Sequence, residues 1–285
     1  MPEPPASLRE LCVQILACGE LEAKLASPFG ADGQLLPDDT PGPALAFERP
    51  ARAPGLLMRA GVERLPRPTE LGEPRARMAC LRRFAHHELM AVELFAWALL
   101  LWPDTPAELR RGWCLAMADE QRHCRMYLER LRAHGAGLGD EPLSDYFWKH
   151  APAIHSHPRG PLAFLAAMGL TLEQANLDFT ALYADGFRRA GDEASARVAE
   201  AVHADEQRHV RLAAEWLARL APEGEDPVES YREAVPFPLE AARAKGRRFS
   251  AEARRAAGLS EALIEHVRNA RPGEGHARRR VDSSA

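Results

Sequence analysis

The chain predicts an all-α fold: two helical hairpins joined by a crossover into a four-helix bundle, with additions at both ends. Three observations carry this expectation. No stretch alternates apolar and polar residues with the period of two that a half-buried strand shows. Four long segments instead place apolar residues three and four apart, and turn residues divide them into two pairs. The word Ala-Asp-Glu-Gln-Arg-His stands at residues 118–123 and again at 204–209, so the second member of each pair carries the same signature.

The elements follow in order. Over residues 6–26 leucines and a valine recur at helical spacing, with Ser7 placed to cap and Glu10 three residues on. Residues 27–75 hold Pro28, Pro37, Pro41, Pro43, Pro50, Pro54, Pro66, Pro68 and Pro74, a density that excludes long helices and central strands. This stretch predicts an extended arm laid over the domain, or partial disorder. The first bundle helix is expected from about Arg75 to Trp102, stopped by Pro103, with Phe84, Ala91, Phe95 and Leu99 on one face and Glu88 inside that stripe. Thr105 is expected to cap the second, with Pro106 at its first position and Glu108 after it, running to His134 and ending in Gly135. Residues 135–160, with Tyr146, Phe147 and Trp148, are long enough to cross over before a second hairpin. Its helices are expected at about Pro161–Arg189 and Asp192–Leu220. Short helical pieces and a Gly/Arg/Ser-rich flexible tail fill 221–285. The expected organisation is thus an N-terminal helix and arm (1–75), a bundle (76–220) and a C-terminal segment (221–285).

Bulk composition narrows the function. A hydrophobic fraction of 46% and a charged fraction of 27% are those of an ordinary soluble domain. A net charge of −4 argues against nucleic-acid binding by bulk electrostatics, and the basic run Arg278–Arg280 is too short to change that. The five cysteines, Cys12, Cys18, Cys80, Cys114 and Cys124, form no Cys-x-x-Cys pair and fit reduced thiols. The N-terminus has no signal-peptide layout, and the most apolar run, Leu94–Trp102, is far short of the roughly 20 residues of a membrane span. A soluble cytoplasmic protein is the expectation.

Each copy of the repeated word holds a Glu-x-x-His pair, Glu120 with His123 and Glu206 with His209. Residues three apart share a helix face, so each carboxylate and imidazole can grip one metal ion. Two such pairs point to two ions side by side. Each partner helix must then add an acid at the same depth. In an antiparallel hairpin, equal depth means equal distance from the turn. Glu88 with Glu120 centre in the turn Pro103–Pro106, and Glu173 with Glu206 beside the turn Ala190–Asp192. The rivals Glu93 and Asp178 lie five residues later, rotated roughly 140° and shifted about 7.5 Å along the helix. They fit supporting or structural acids better. Burying four carboxylates without cations would cost many kcal/mol, and metal ions supply the compensation. Alone, one Glu-x-x-His would more readily be a solvated face.

Neighbouring residues have less defined roles. Asp119 and Asp205 point away from the ions, toward solvent or a ligand imidazole, and Arg122 and Arg208 could pair with them. His203 shares a face with Glu206, as an extra ligand or a packed histidine, where the first half has Met117. His86 and His87 abut Glu88 at the wrong spacing for one face; Tyr127, Cys114 and Cys124 fit packing positions.

With Glu88, Glu120-x-x-His123, Glu173 and Glu206-x-x-His209 in place, the chain resembles the ferritin-like di-iron carboxylate superfamily, which includes ferritins, rubrerythrins, ribonucleotide reductase small subunits and bacterial hydroxylases. Within it the likeness is closest to a ferritin-like family catalogued only as a domain of unknown function. The similar segments are His-His-Glu-Leu-Met-Ala-Val-Glu-Leu (86–94), Leu-Glu-Gln-Ala-Asn-Leu-Asp (172–178) and, more weakly, Phe249–Gly258. The resemblance implies that Glu120 and Glu206 bridge two ions, with Glu88, His123, Glu173 and His209 as terminal ligands. Carboxylate and imidazole ligation without thiolate suits iron, with manganese the alternative.

That likeness implies an O₂-activating oxidoreductase acting on an organic small molecule, with an electron donor the sequence does not identify. The tRNA hydroxylases of the superfamily are one pattern, which the acidic net charge disfavours. The competing expectation is iron storage, detoxification or peroxide scavenging. No Cys-x-x-Cys pair supplies a rubredoxin-type iron, and the terminal additions would have to fit a ferritin shell. A metal-stabilised scaffold without turnover is a third, weaker class, and self-association stays open.

Overall fold

A computed structural model describes residues 4–61 and 64–273; the expected flexible tail from 274 onward, with its basic run, lies outside the described residues. The protein is all-α, with 63% of its residues helical and 2% in strands. It divides into two compact units, Met1–Ala151 with Gly186–Val198, and Pro152–Asp185 with Ala199–Ala285.

In the first unit α1 (Leu8–Ala17) starts as the sequence suggests, with the Ser7 hydroxyl accepting from the Glu10 N–H at 3.2 Å. It does not run to residue 26. It breaks before Gly19 and resumes as the short α2 (Leu21–Lys24). The break has a steric reason: the arm passes so close that a Cβ on Gly19 would lie 2.7 Å from the Ala53 nitrogen. Among its described residues the Pro-rich stretch forms no long helix or strand, and it is tied down at several points. Ala53 N–H donates to the Gly19 carbonyl at 3.0 Å and Leu45 N–H to the Leu100 carbonyl at 2.9 Å. Asp38 takes a two-pronged grip from Arg110, both contacts at 2.7 Å.

The long hairpin of this unit is α3 (Pro74–Leu101) and α4 (Ala107–Ala133). From Glu88 to Leu101 every residue of α3 is buried. By length and composition α3 could cross a membrane, which the short run Leu94–Trp102 did not suggest; 89% of its apolar window is buried inside the protein, so it serves here as a core helix. Thr105 does not cap α4: its hydroxyl donates to the Trp102 carbonyl at 2.9 Å and closes the turn, leaving Pro106 at the cap position. Gly135 ends α4 at φ +72°, where its N–H reaches the Arg132 carbonyl at 2.9 Å. The turn after Ala190 is held by Asp192, which accepts from Ser195 N–H and hydroxyl, from Arg130 and from the His134 ring. Two strands too short to show alternation, β1 (Met58–Arg59) and β2 (Leu143–Ser144), pair in parallel.

The second unit takes in α5 (Ala151–His155) from its second residue, and then α6 (Pro161–Phe164). The expected single helix from Pro161 is not uniform. A nine-residue π-helical stretch, Leu165–Glu173, separates α6 from α7 (Gln174–Arg189). Its Thr171 hydroxyl bonds the carbonyl five residues back, Ala166, at 2.7 Å and meets the buried Tyr231 hydroxyl at 2.8 Å. Gly169 allows α8 (Glu193–Leu220) to approach, because a Cβ there would overlap that of Ala213. Three short helices follow, α9 (Pro227–Ala234), α10 (Ala251–Ala256) and α11 (Glu261–Asn269), capped by Asp226, Ser250 and Ser260.

Candidate metal centre

In the first unit α3 and α4 bring Glu88, Glu120 and His123 together, all buried, with ligand atoms within 4.8 Å of one another. His123 Nδ1 lies 3.5 Å from Glu120 Oε2 and 3.9 Å from Glu88 Oε2. In the second unit the end of the π-helical stretch and α8 bring Glu173, Glu206 and His209 together, again buried and within 4.8 Å. Here His209 Nδ1 lies 3.7 Å from Glu206 Oε2. These spans exceed a good hydrogen bond of about 2.7–3.2 Å. They are within twice a metal–donor bond of about 2.1 Å. These imidazole–carboxylate spans therefore fit donors that flank an ion, and each donor set is two carboxylates and one imidazole. That chemistry suits a divalent first-row metal.

The helical count explains the clustering. Glu120 and His123, like Glu206 and His209, sit one turn apart on one face. The π-helical stretch ends at Glu173, so the count from that acid to its turn is that of an ordinary α-helix.

The rival acids each sit in an ion pair outside the two triads. Glu93 is completely buried, with Oε1 2.9 Å from Lys24 Nζ and Oε2 2.6 Å from Arg52 Nη2. The Trp148 indole N–H donates to Oε2 at 2.9 Å. Burial lowers the Lys24 pKa, against the opposing pull of Glu93, and the ammonium also donates to the Ile15 carbonyl at 2.7 Å. Asp178 is the counterpart in the second unit. It accepts from the N–H groups of Gly246 and Ser250, both at 2.8 Å, and from Arg254. Arg254 also donates to the Ala244 carbonyl at 2.8 Å.

The remaining candidates separate. Arg122 pairs with Asp119 and Arg208 with Asp205, both at 2.6 Å on their own helices. His203 is not in either triad; its Nδ1 lies 2.9 Å from the Thr180 hydroxyl and its Nε2 3.4 Å from Gln207 Nε2. Burial lowers its pKa, so the neutral imidazole is favoured. His87 stacks on Phe147, ring centres 5.0 Å apart, and Tyr127 packs against Phe84 at 5.4 Å. Cys114 and Cys124 are buried thiols whose pKa burial pushes up to about 12. All five cysteines are free.

Sequence reasoning missed Asn176. Its amide Nδ2 donates to Glu206 Oε1 at 2.8 Å. The signal was its place three residues after Glu173, on the same helix face as that acid. Thr171, Gly169 and Tyr231 were missed too; a Gly and a Thr inside an otherwise apolar helical run were the visible hint of the π-helical stretch.

These features define an all-α protein with two buried acid–imidazole clusters that could hold metal. A family model described as "Protein of unknown function (DUF455)" matches residues 20–265, and the chain belongs to that family. No curated protein and no solved structure matches it.

Proposed function

We propose that the chain is a ferritin-like di-iron protein that activates O₂ to oxidise or hydroxylate an organic small molecule. The observation that supports this is the pair of buried Glu, Glu, His triads, each built from a helical hairpin whose second helix carries the repeated word. On this reading Glu88, Glu120 and His123 would hold one ion, and Glu173, Glu206 and His209 the other. Iron is the preferred ion and manganese the alternative. When bound, two Fe(II) ions supply electrons to reduce O₂, a reaction no side chain can run alone.

The protein's own part is holding and shielding. Glu88 and Glu173 would hold one ion each from the buried faces of their helices. His123 and His209 would complete each set as neutral imidazoles. The apolar run of α3 around Glu88 keeps bulk water from that acid and strengthens every charge interaction there. The substrate is an organic small molecule, the reducing partner is a separate donor, and a soluble cytoplasmic location completes the proposal.

The test is anaerobic Fe(II) loading of the purified protein followed by O₂, read by optical and Mössbauer spectroscopy. Uptake near two irons per chain, with a single stoichiometric oxidation, supports the reading. Oxidation that continues to many irons per chain would make the protein a store. Uptake of one iron or none would end the di-iron reading.

A further inference from the structure

We infer that Asn176 is a positioning residue that makes the two triads unequal, holding one oxygen of Glu206 so that this ligand meets its ion through the other. The inference rests on the two-ion reading above and adds an order of loading to it.

Three observations carry it. Asn176 Nδ2 donates to Glu206 Oε1 at 2.8 Å, while Glu206 Oε2 is the oxygen that faces His209 Nδ1 at 3.7 Å. The carboxylate is therefore divided, one oxygen toward an amide and one toward the imidazole that would share its ion. Next, the main chain at Asn176, not its amide, is tied toward α8. The Thr180 hydroxyl donates to the main-chain carbonyl of Asn176 at 2.5 Å, so its single proton is committed there. His203 Nδ1–H then donates to the Thr180 oxygen at 2.9 Å, which fixes the tautomer and leaves Nε2 to accept from Gln207. This polar ladder joins α7 to α8 one turn from the ligand pair.

The third observation is the broken symmetry of the repeat. Asn176 is three residues after Glu173; three residues after Glu88 stands Ala91, whose methyl has no proton to give. His203, which braces Thr180, is matched by Met117. The residue types at these two positions of the repeat therefore differ between its halves.

An amide donor on a ligand carboxylate fixes its rotamer and restricts its binding mode. Removing such a partner typically costs 10–100-fold in metal affinity. One of the two ions should depend on Asn176 and the other should not.

The probe is Co(II), titrated anaerobically into the full chain and followed by its visible d–d bands, with bound metal counted by mass spectrometry. The wild type is expected to fill in two resolved phases. Asn176→Ala should weaken one phase by 10–100-fold and leave the other in place. Asn176→Asp keeps the shape but carries no proton to donate at neutral pH, and should weaken the same phase at least as much. Asn176 is only half-buried and alanine favours helices, so far-UV circular dichroism should match the wild type. Both variants filling like the wild type, or both phases shifting together, would overturn the inference. A wild type that takes up one Co(II) or none would instead remove the two-ion reading, and this inference with it.

Discussion

Arg254 Nη1 lies 2.8 Å from Asp178 Oδ1 and Nη2 lies 3.0 Å from Oδ2, with neither side chain reaching solvent. The pair joins α10 to α7 five residues beyond a metal-ligand candidate, and the acid's oxygens also take two backbone N–H groups. Arg254→Ala leaves a buried carboxylate without its cation and should cost roughly 3–5 kcal/mol, the usual penalty for breaking a buried pair. Arg254→Lys keeps the charge but loses the fork, and should fall between. Urea unfolding checks both; a loss below about 1 kcal/mol for the alanine variant would put this contact among weak surface pairs.

Glu93 gives a sharper contrast with Glu88. Glu93→Gln leaves Lys24 and Arg52 as two buried cations and should cost roughly 3–5 kcal/mol of stability. Metal uptake by the folded fraction should be unchanged. Glu88→Gln should do the reverse, reducing bound metal with a smaller stability loss. Stoichiometry and melting temperature on both variants distinguish the roles, and reversed results would exchange the two assignments.

Asp192 supplies a pH dependence. Burial alone would raise its pKa, but bonds from the Ser195 hydroxyl and N–H, His134 and Arg130 outweigh burial and hold it below the ordinary value of 3.8. A lowered carboxyl pKa adds stability that is fully present above the unfolded value and is lost as pH falls through the folded one. Asp192→Asn keeps a helix-cap acceptor but loses the charge facing Arg130 and His134, and should therefore be less stable than wild type by about 1 kcal/mol at pH 7. The gap should narrow below pH 3.8. Paired thermal melts across that range test it, and a gap independent of pH would remove the carboxylate from the account.

Gly169→Ala places a methyl against Ala213 in the close approach of α8 to the π-helical stretch. Overpacking of this kind costs typically 1–3 kcal/mol. The double variant Gly169→Ala/Ala213→Gly returns the space and should recover part of the loss. Urea midpoints for the three proteins decide; equal midpoints for the single variant and the wild type would mean the approach is not tight.

Metal should stabilise the folded chain. Free Mn(II) at a hundred times its dissociation constant adds about 2.7 kcal/mol per site, provided the unfolded chain does not bind it. His123→Ala/His209→Ala should remove most of that gain. Calorimetry with and without Mn(II) measures it, and equal shifts in both proteins would place the binding elsewhere.

Much of this was legible from residue order. The repeated word, Pro103, Gly135 and the turn at Gly191 fixed the four long helices, because period and punctuation are local properties. Counting outward from the turns picked Glu88 and Glu173 over Glu93 and Asp178, since a straight hairpin preserves depth. What escaped was tertiary. The break at Gly19 depends on where the arm's backbone passes, and the π-helical stretch depends on Ala213 and Tyr231, both distant in sequence. Thr105 looked like a cap because its neighbours fit the pattern; its hydroxyl turned inward to Trp102 instead. The late segment around Phe249–Gly258 gave no reason for itself until Arg254 was seen on Asp178.

The neutralisation of Glu93 by Lys24 and Arg52, and of Asp178 by Arg254, bears on how small this protein can be made. Trimming it to the four long helices would strip both counter-ions from one core acid and the guanidinium from the other. A shortened chain ending near residue 220 or starting near 76 would then have to protonate those groups or flood its interior with water. The ends of this chain are part of its electrical wiring, and a minimal version would need neutral side chains at 93 and 178 before it could hold its shape.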